Sequence, residues 1–169
     1  MNRDQEKEKK MEEILSELRR DERVQSMKTF VQHGTVSTYE HCEHVMEMSY
    51  RIDRALHLHS DLDTLLKGAM LHDFFLYDWH RNDEGTHSLH GFTHAEKARE
   101  NAEKYLKTND RINHVIRSHM WPLNPERVPR SREAWIVCVA DKLVSLHETL
   151  FRRRDREQGQ GTGEKRLLG

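Results

Sequence analysis

The stretch that decides the fold is residues 61–73, which read DLDTLLKGAMLHD. Its apolar residues recur at the three- and four-residue steps of one helical face, at Leu62, Leu65, Leu66, Ala69 and Met70. Asp61 can accept a hydrogen bond from the first turn of this helix and so begin it. The apolar face runs directly into His72 and Asp73, so the pattern predicts a helix that carries both polar residues towards the interior.

Helical periodicity dominates the rest of the chain as well, and no sustained apolar and polar alternation marks a strand. Further helices are predicted within residues 6–32, 37–59, 93–106, 109–119 and 131–151. Ser37 and Thr93 each begin an S/T-x-x-E capping pattern, while Asn109 and Ser131 can cap the last two helices. The final helix is apolar nearly all round, which predicts a central position. The expected fold is therefore all-α, a single-domain helical bundle.

The length of 169 residues and a hydrophobic content of 35% suit one core rather than two. Residues 1–35 are expected to form an N-terminal amphipathic helix or helices packed on a helical domain of residues 36–151. The glycine-rich and charged residues 152–169 predict a disordered C-terminal tail.

Composition argues against several functional classes. The formal net charge is only -1, which argues against a protein that coats a nucleic-acid duplex. No apolar stretch approaches the roughly 20 residues that cross a bilayer, and residues 1–10 lack a signal-peptide core, so the cytoplasm rather than a membrane is expected. Cys42 and Cys138 lack a C-x-x-C partner, which predicts reduced thiols and no zinc-thiolate site. A homodimer is left open.

Four predicted helices carry histidine or aspartate side chains on their apolar faces, in a chain that contains thirteen histidines. The residues on these faces are His41, His72, Asp73, His119 and Asp141. An ionised carboxylate on an apolar face needs a partner, and a metal cation supplies one.

The arrangement predicts one or two divalent metal ions. The expected ligands of the first are His41, His72, Asp73 and Asp141. The second oxygen of Asp73 could bridge to another cation held by His94 and His119, as in many phosphoesterases. Imidazole and carboxylate ligands without thiolate suit manganese, iron, nickel, cobalt or zinc.

Such a site lowers the pKa of water and neutralises the charge that builds on phosphoryl oxygens. Asp73 is therefore predicted to be catalytic as the bridging ligand. Lys142 follows Asp141 directly and is predicted to be catalytic by contacting a phosphate.

The order of these residues resembles the H...HD...H...H...D signature of the HD-domain superfamily of metal-dependent phosphohydrolases. The members of the signature here are His41, His72-Asp73, His94, His119 and Asp141, and the resemblance covers residues 36–150. The local sequences Tyr39-Glu40-His41, Leu71-His72-Asp73 and Val139-Ala140-Asp141-Lys142 also resemble the family. The resemblance implies a helical bundle around a mono- or dinuclear centre that hydrolyses a small phosphomonoester, phosphodiester or nucleotide.

The chain departs from many nucleotide-hydrolysing relatives directly after the HD pair. Those relatives continue with a small residue, glycine and lysine, whereas this chain continues FFLYDW from residue 74. Lys142 or Arg81 could fill the role of that lysine in substrate binding. Trp121, at the predicted mouth of the site, could stack on a nucleobase or simply pack against its neighbours.

The third histidine of the signature has two candidates. His90-Gly91 and His94-Ala95 each resemble the family pattern, and the small residue Ala98, four positions after His94, favours His94 as the ligand. His90 is then predicted to contact substrate or to orient a ligand.

Purely structural roles for these side chains stay open at the level of sequence. Taken singly, each histidine could be hydrogen-bonded near a helix end, and each aspartate could pair with an arginine. The same ligand set also fits a di-iron oxygenase of the HD type or a non-catalytic nucleotide-binding module. The six residues taken together, in family order, favour a metal-dependent phosphohydrolase.

Overall fold

Helices dominate the structure, a computed structural model that describes residues 3–33, 35–76 and 90–161. Within these ranges there are seven α-helices: α1 (Arg3–Arg19), α2 (Glu22–Ser26), α3 (Thr38–Ala55), α4 (Leu62–Leu71), α5 (His90–Leu106), α6 (Asp110–Ser118) and α7 (Arg132–Gly161). A 3₁₀ turn (Met27–Thr29) and a hairpin of strands β1 (Val31–His33) and β2 (Val36–Ser37) connect α2 to α3. The prediction of an all-α fold is confirmed.

Four of the helices predicted from the sequence begin, as expected, at side chains that accept a hydrogen bond from the first turn. The Ser37 hydroxyl accepts from the N–H of Glu40 at 3.2 Å, and the Glu40 carboxylate accepts from the N–H of Ser37 at 2.9 Å, which completes a capping box. Asp61, Asn109 and Ser131 accept equivalent bonds at the starts of α4, α6 and α7. Each cap contributes about 1 kcal/mol to stability.

Helix α5 begins at His90, three residues before the start predicted from the capping pattern at Thr93. That prediction was wrong because the S/T-x-x-E pattern also fits the interior of a helix, where glutamate is a favourable residue. Residues 90–92, predicted as the end of a loop that begins at residue 74, therefore belong to α5. Residues 77–89 lie outside the described ranges. The end of the predicted C-terminal tail, residues 162–169, lies outside them too.

The hairpin between α2 and α3 was not predicted. Its strands pair antiparallel, with Val31 opposite Ser37. Strands of three and two residues are too short to show an alternating pattern in the sequence. The N–H of Thr38 donates to the carbonyl of Phe30 at 2.8 Å, so the hairpin is tied to the start of α3 and lies close to the end of α4.

Helix α4 lies at the centre of the bundle, where it packs on α1, α3, α6 and α7. Its fully buried apolar side chains are Leu65, Leu66, Ala69, Met70 and Leu71. Burial of each large side chain contributes about 1.5–3 kcal/mol, so apolar contacts on all sides hold the end of this helix in place.

Helix α7 was predicted to be central, and this prediction was wrong. One side packs inwards through Val137, Ala140 and Val144. The opposite side exposes 41–57% of each of five apolar residues, namely Trp135, Val139, Leu143, Leu146 and Leu150. An apolar composition all round does not distinguish a helix enclosed by protein from one with an exposed apolar side. No helix in the described part of the chain has the length and apolar content to span a bilayer.

Gly68 lies at a close approach between α4 and α6, and it yields a test of this packing. A Cβ added there would lie 2.6 Å from Cγ1 of the fully buried Val115. We expect Gly68→Ala to lower the free energy of unfolding by about 1–2 kcal/mol, because the overpacking penalty exceeds the helix-propensity gain. Chemical denaturation should show this loss in the Val115 background and a smaller one, or a gain, in the Val115→Ala background. Equal losses in both backgrounds would contradict the contact.

Candidate metal centre

The six predicted ligands meet at the C-terminal end of α4. His72 and Asp73 follow α4 directly, and the neighbouring helices supply His41 from α3, His94 from α5, His119 from the end of α6 and Asp141 from α7. All six are buried, with exposed fractions between 0% and 8%. Burial of six polar side chains is unfavourable unless each has a partner, so this convergence marks a candidate functional site.

One set of donor atoms lies around Oδ2 of Asp73 and comprises His41, His72 and Asp73. This oxygen lies 3.4 Å from Nε2 of His72 and 4.0 Å from Nε2 of His41. Oδ1 of Asp141 lies 3.2 Å from Nε2 of His41 and 3.7 Å from Nε2 of His72, so a second carboxylate joins the set. Two ligand atoms each about 2.1 Å from one ion lie roughly 3–4 Å apart, as these atoms do.

A second set lies on the other side of the same carboxylate and comprises Asp73, His94 and His119. Oδ1 of Asp73 lies 3.4 Å from Nε2 of His94 and 3.6 Å from Nε2 of His119. The two imidazole nitrogens lie 3.1 Å from each other. The two oxygens of Asp73 therefore face different donor sets, and the structure brings His94 into the centre.

Hydrogen bonds on the outer side of three rings fix which nitrogen faces the centre. Nδ1–H of His72 donates to the carbonyl of Ala69 at 2.7 Å, and Nδ1–H of His119 donates to the carbonyl of Ile116 at 2.7 Å. Nδ1–H of His41 donates to a carboxylate at 3.0 Å. With the proton on Nδ1, a neutral ring presents the Nε2 lone pair to the centre, which is the arrangement that ligates metals.

The electrostatics of the centre demand positive charge. Burial would raise the pKa of Asp73, but His72, His94, His119 and His41 lower it to about 2. Burial would lower the pKa of His41, but hydrogen bonds to Asp141 and another carboxylate raise it to about 10. Burial lowers the pKa of His119 to about 3, so this ring is neutral. The carboxylates thus stay ionised and attract a cation, which is either a proton or a metal.

The donor set fits a divalent cation. Nε2 of His72 and Oδ1 of Asp73 are buried and have no hydrogen-bond partner among the described residues. Two such atoms lose solvation without compensation, whereas a cation bound in each donor set would contact one of them. Imidazole and carboxylate donors without thiolate are typical ligands of divalent first-row metals.

Sequence reasoning missed several residues that contact the ligands, among them Gln32 and Glu148. Gln32, on β1, donates through Nε2 to Oδ2 of Asp73 at 2.6 Å, and its Oε1 accepts from Thr38. Glu148, on α7, is the carboxylate that accepts from Nδ1 of His41. Nothing local in the sequence indicates Gln32, whereas Glu148 follows Asp141 by seven residues, a spacing that places both on one side of a helix.

Of the four predicted substrate-binding residues, two have described side-chain contacts, Lys142 and Trp121. Nζ of Lys142 donates to the carbonyl of His119 at 2.9 Å and to that of Cys138 at 3.2 Å, so its phosphate contact stays a prediction. Trp121 packs edge-on against Trp135 with ring centroids 5.0 Å apart, and its stacking on a base also stays a prediction. Arg81 and the side chain of His90 lie outside the described part of the chain.

A helical bundle that closes around buried histidines and aspartates defines a candidate metalloprotein. The chain belongs to the HD-domain family, whose model, described as HD domain, matches residues 38–146. HD domains are mostly metal-dependent phosphohydrolases, and membership places the chain in a superfamily of metal-dependent hydrolases. The chain matches no curated protein and no solved structure. The matched residues contain all six predicted ligands and exclude Gln32 and Glu148.

Removal of the shared carboxylate tests the centre directly. We expect Asp73→Asn and His72→Ala to lose at least one bound metal ion per chain while keeping their helical content, because each change removes a donor from the first set. Elemental analysis and circular dichroism measure the two quantities. Asp63→Asn, near the start of α4 and with a side chain that is 39% exposed, is the matched control and should keep full metal content. Full metal content in either site variant would show that this pair does not ligate.

Proposed function

We propose that the protein is a metal-dependent phosphohydrolase that acts on a small phosphomonoester, phosphodiester or nucleotide. The observation that carries the proposal is the position of Asp73, whose Oδ2 faces His41 and His72 while its Oδ1 faces His94 and His119. A carboxylate placed in this way suits two ions with a common ligand, which is the arrangement of many phosphoesterases.

In this proposal one divalent ion is held by four residues, His41, His72, Asp73 and Asp141. Asp73 is shared with a second ion that His94 and His119 complete. Bound divalent ions lower the pKa of water and neutralise the charge that develops on phosphoryl oxygens. Manganese, iron, cobalt, nickel and zinc all suit this donor set.

The charge of the ligands supports an anionic substrate. Asp73 and Asp141 are the two carboxylates among the six proposed ligands, and the histidines are neutral when they ligate a metal. Two divalent ions would therefore carry more positive charge than these ligands neutralise. A phosphate group, with its negatively charged oxygens, matches the remainder.

Hydrogen-bonding groups around the centre keep the ligands in place while substrate binds. Gln32 holds Oδ2 of Asp73 from the hairpin, and main-chain carbonyls hold the rings of His72 and His119. A ligand held by hydrogen bonds loses little orientation when substrate exchanges with water, which is the preorganisation that electrostatic catalysis needs.

We further propose that Lys142, Trp121, His90 and Arg81 contact the substrate. Lys142 is the member whose surroundings support this most directly, because its ammonium lies on the carbonyl of the proposed ligand His119. If a phosphate oxygen replaced one of the carbonyl acceptors of Lys142, the substrate would lie next to the second donor set.

Activity measurements with added metal test the proposal. Protein loaded separately with manganese, iron, cobalt, nickel or zinc should hydrolyse at least one member of a panel of phosphomonoesters, phosphodiesters and nucleotides. Asp73→Asn should lower kcat/KM at least about 100-fold, since the shared ligand is lost, and Asp63→Asn should keep wild-type activity. Phosphate release measured by a colorimetric assay gives both values.

Two other outcomes would contradict hydrolysis. Oxygen consumption with iron, together with no phosphate release with any metal, would indicate the oxygenase that shares this ligand set. Thermal stabilisation by nucleotide plus metal without any product would indicate a binding module.

The role of Lys142 has a separate test. If its ammonium binds phosphate, Lys142→Ala should raise KM about tenfold, the effect of losing one charged hydrogen bond, and keep full metal content. Lys97→Ala, at an exposed position on α5, is the control and should leave KM unchanged. A loss of bound metal with an unchanged KM would show instead that Lys142 stabilises the metal centre through the carbonyl of His119 and does not bind substrate.

A further inference from the structure

We infer that Glu148 is a positioning residue of the metal centre, which holds the His41 ring so that Nε2 points at the ion-binding atoms. The inference rests on the proposed function, because it concerns a ligand of the proposed first ion. Glu148 lies beyond the segment matched by the family model.

The geometry places carboxylates on both nitrogen-bearing edges of one buried ring. Oε2 of Glu148 lies 3.0 Å from Nδ1 of His41, and Oδ1 of Asp141 lies 3.2 Å from Nε2. Asp141 and Glu148 are seven residues apart on α7, about two helical turns, so they face α3 from the same side. One helix therefore fixes both edges of the ring.

Glu148 is itself held in a fixed orientation. Its side chain is 5% exposed, and its second oxygen, Oε1, lies 2.9 Å from Nδ1 of His44. His44 lies one turn after His41 on α3, and its side chain is 53% exposed. Because both carboxylate oxygens have partners on α3, rotation of the carboxylate would break two hydrogen bonds.

The direction of the hydrogen bond determines what Glu148 can do. An ionised carboxylate only accepts hydrogen bonds, so Nδ1 of His41 must carry a proton and be the donor of this hydrogen bond. The ring then presents an Nε2 lone pair to the centre, and the negative charge behind the ring makes that lone pair a stronger donor to metal. Glu148 contacts the outer edge of the ring and is not a member of either donor set.

His41 differs from His72 and His119 in the group that accepts its Nδ1–H hydrogen bond. His72 and His119 donate Nδ1–H to the carbonyl of the residue three positions earlier, because each follows the end of a helix. His41 lies in the first turn of α3, and the residue three positions earlier is Thr38, at which the helix begins. Its ring therefore lies near the start of a helix, whereas His72 and His119 each follow the end of one. The described Nδ1 contact of His41 is with a side chain from another helix.

Calorimetric titration of metal-free protein with Mn²⁺ tests the inference. We expect Glu148→Ala to weaken Mn²⁺ binding about 10- to 100-fold, the usual effect of removing such a partner of a ligand. Glu148→Gln should recover much of the affinity, because the amide oxygen can still accept from Nδ1–H of His41. Glu47→Ala, which changes an exposed glutamate of α3, should bind like the wild type.

A spectroscopic measurement separates positioning from a general loss of packing. In Zn²⁺-loaded protein labelled with ¹⁵N-histidine, His41 of the wild type and of Glu148→Gln should show the form protonated at Nδ1. Glu148→Ala should lose this signal, while those of His72 and His119 stay in place.

Each result has a defined meaning. Wild-type affinity in Glu148→Ala, or equal weakening in Glu148→Ala and Glu148→Gln with an unchanged His41 spectrum, would overturn the role of Glu148 and leave the metal centre intact. Absence of Mn²⁺ and Zn²⁺ binding by the wild type would overturn the proposed centre and this inference together.

Discussion

A buried carboxylate surrounded by four imidazole rings is the interaction on which the rest of the structure depends. Burial disfavours the charge of Asp73, which is only 2% exposed, so the ionised form persists only while donors or cations converge on it. The rings come from α3, from the ends of α4 and α6, and from α5. The helices that form the hydrophobic core are thus the same helices that bring the rings around this one side chain.

Helix α4 links the core to the centre. Its apolar side chains are buried against neighbouring helices, and these contacts fix the position of its C-terminal end. His72 and Asp73 follow that end directly, so the same contacts fix their positions. A cluster of buried polar groups is unfavourable by itself, and the surrounding apolar contacts supply the stabilisation that permits it.

Sequence patterns predicted what depends on neighbours along the chain. The apolar steps and the cap at Asp61 are local features of α4, and they directed His72 and Asp73 inwards correctly. The contact of Gln32 with Asp73 joins residues 41 positions apart and follows from a hairpin too short to show periodicity. Glu148 was one of many charged residues in the sequence, and its contact with His41 depends on how α3 packs on α7. The exposed apolar side of α7 was missed because the side of a helix that other helices cover also depends on how they pack.

The acceptors of the histidine Nδ1 protons differ in how easily substitution can remove them. At His72 and His119 the acceptor is a main-chain oxygen, so any exchange of Ala69 or Ile116 that preserves the helix also preserves the ring orientation. At His41 the acceptor is a side chain, and a single amino-acid exchange can delete it. Tolerance to sequence change is therefore uneven within one centre. Two ring orientations persist with the backbone, and the third persists only while residue 148 can accept a hydrogen bond from the ring.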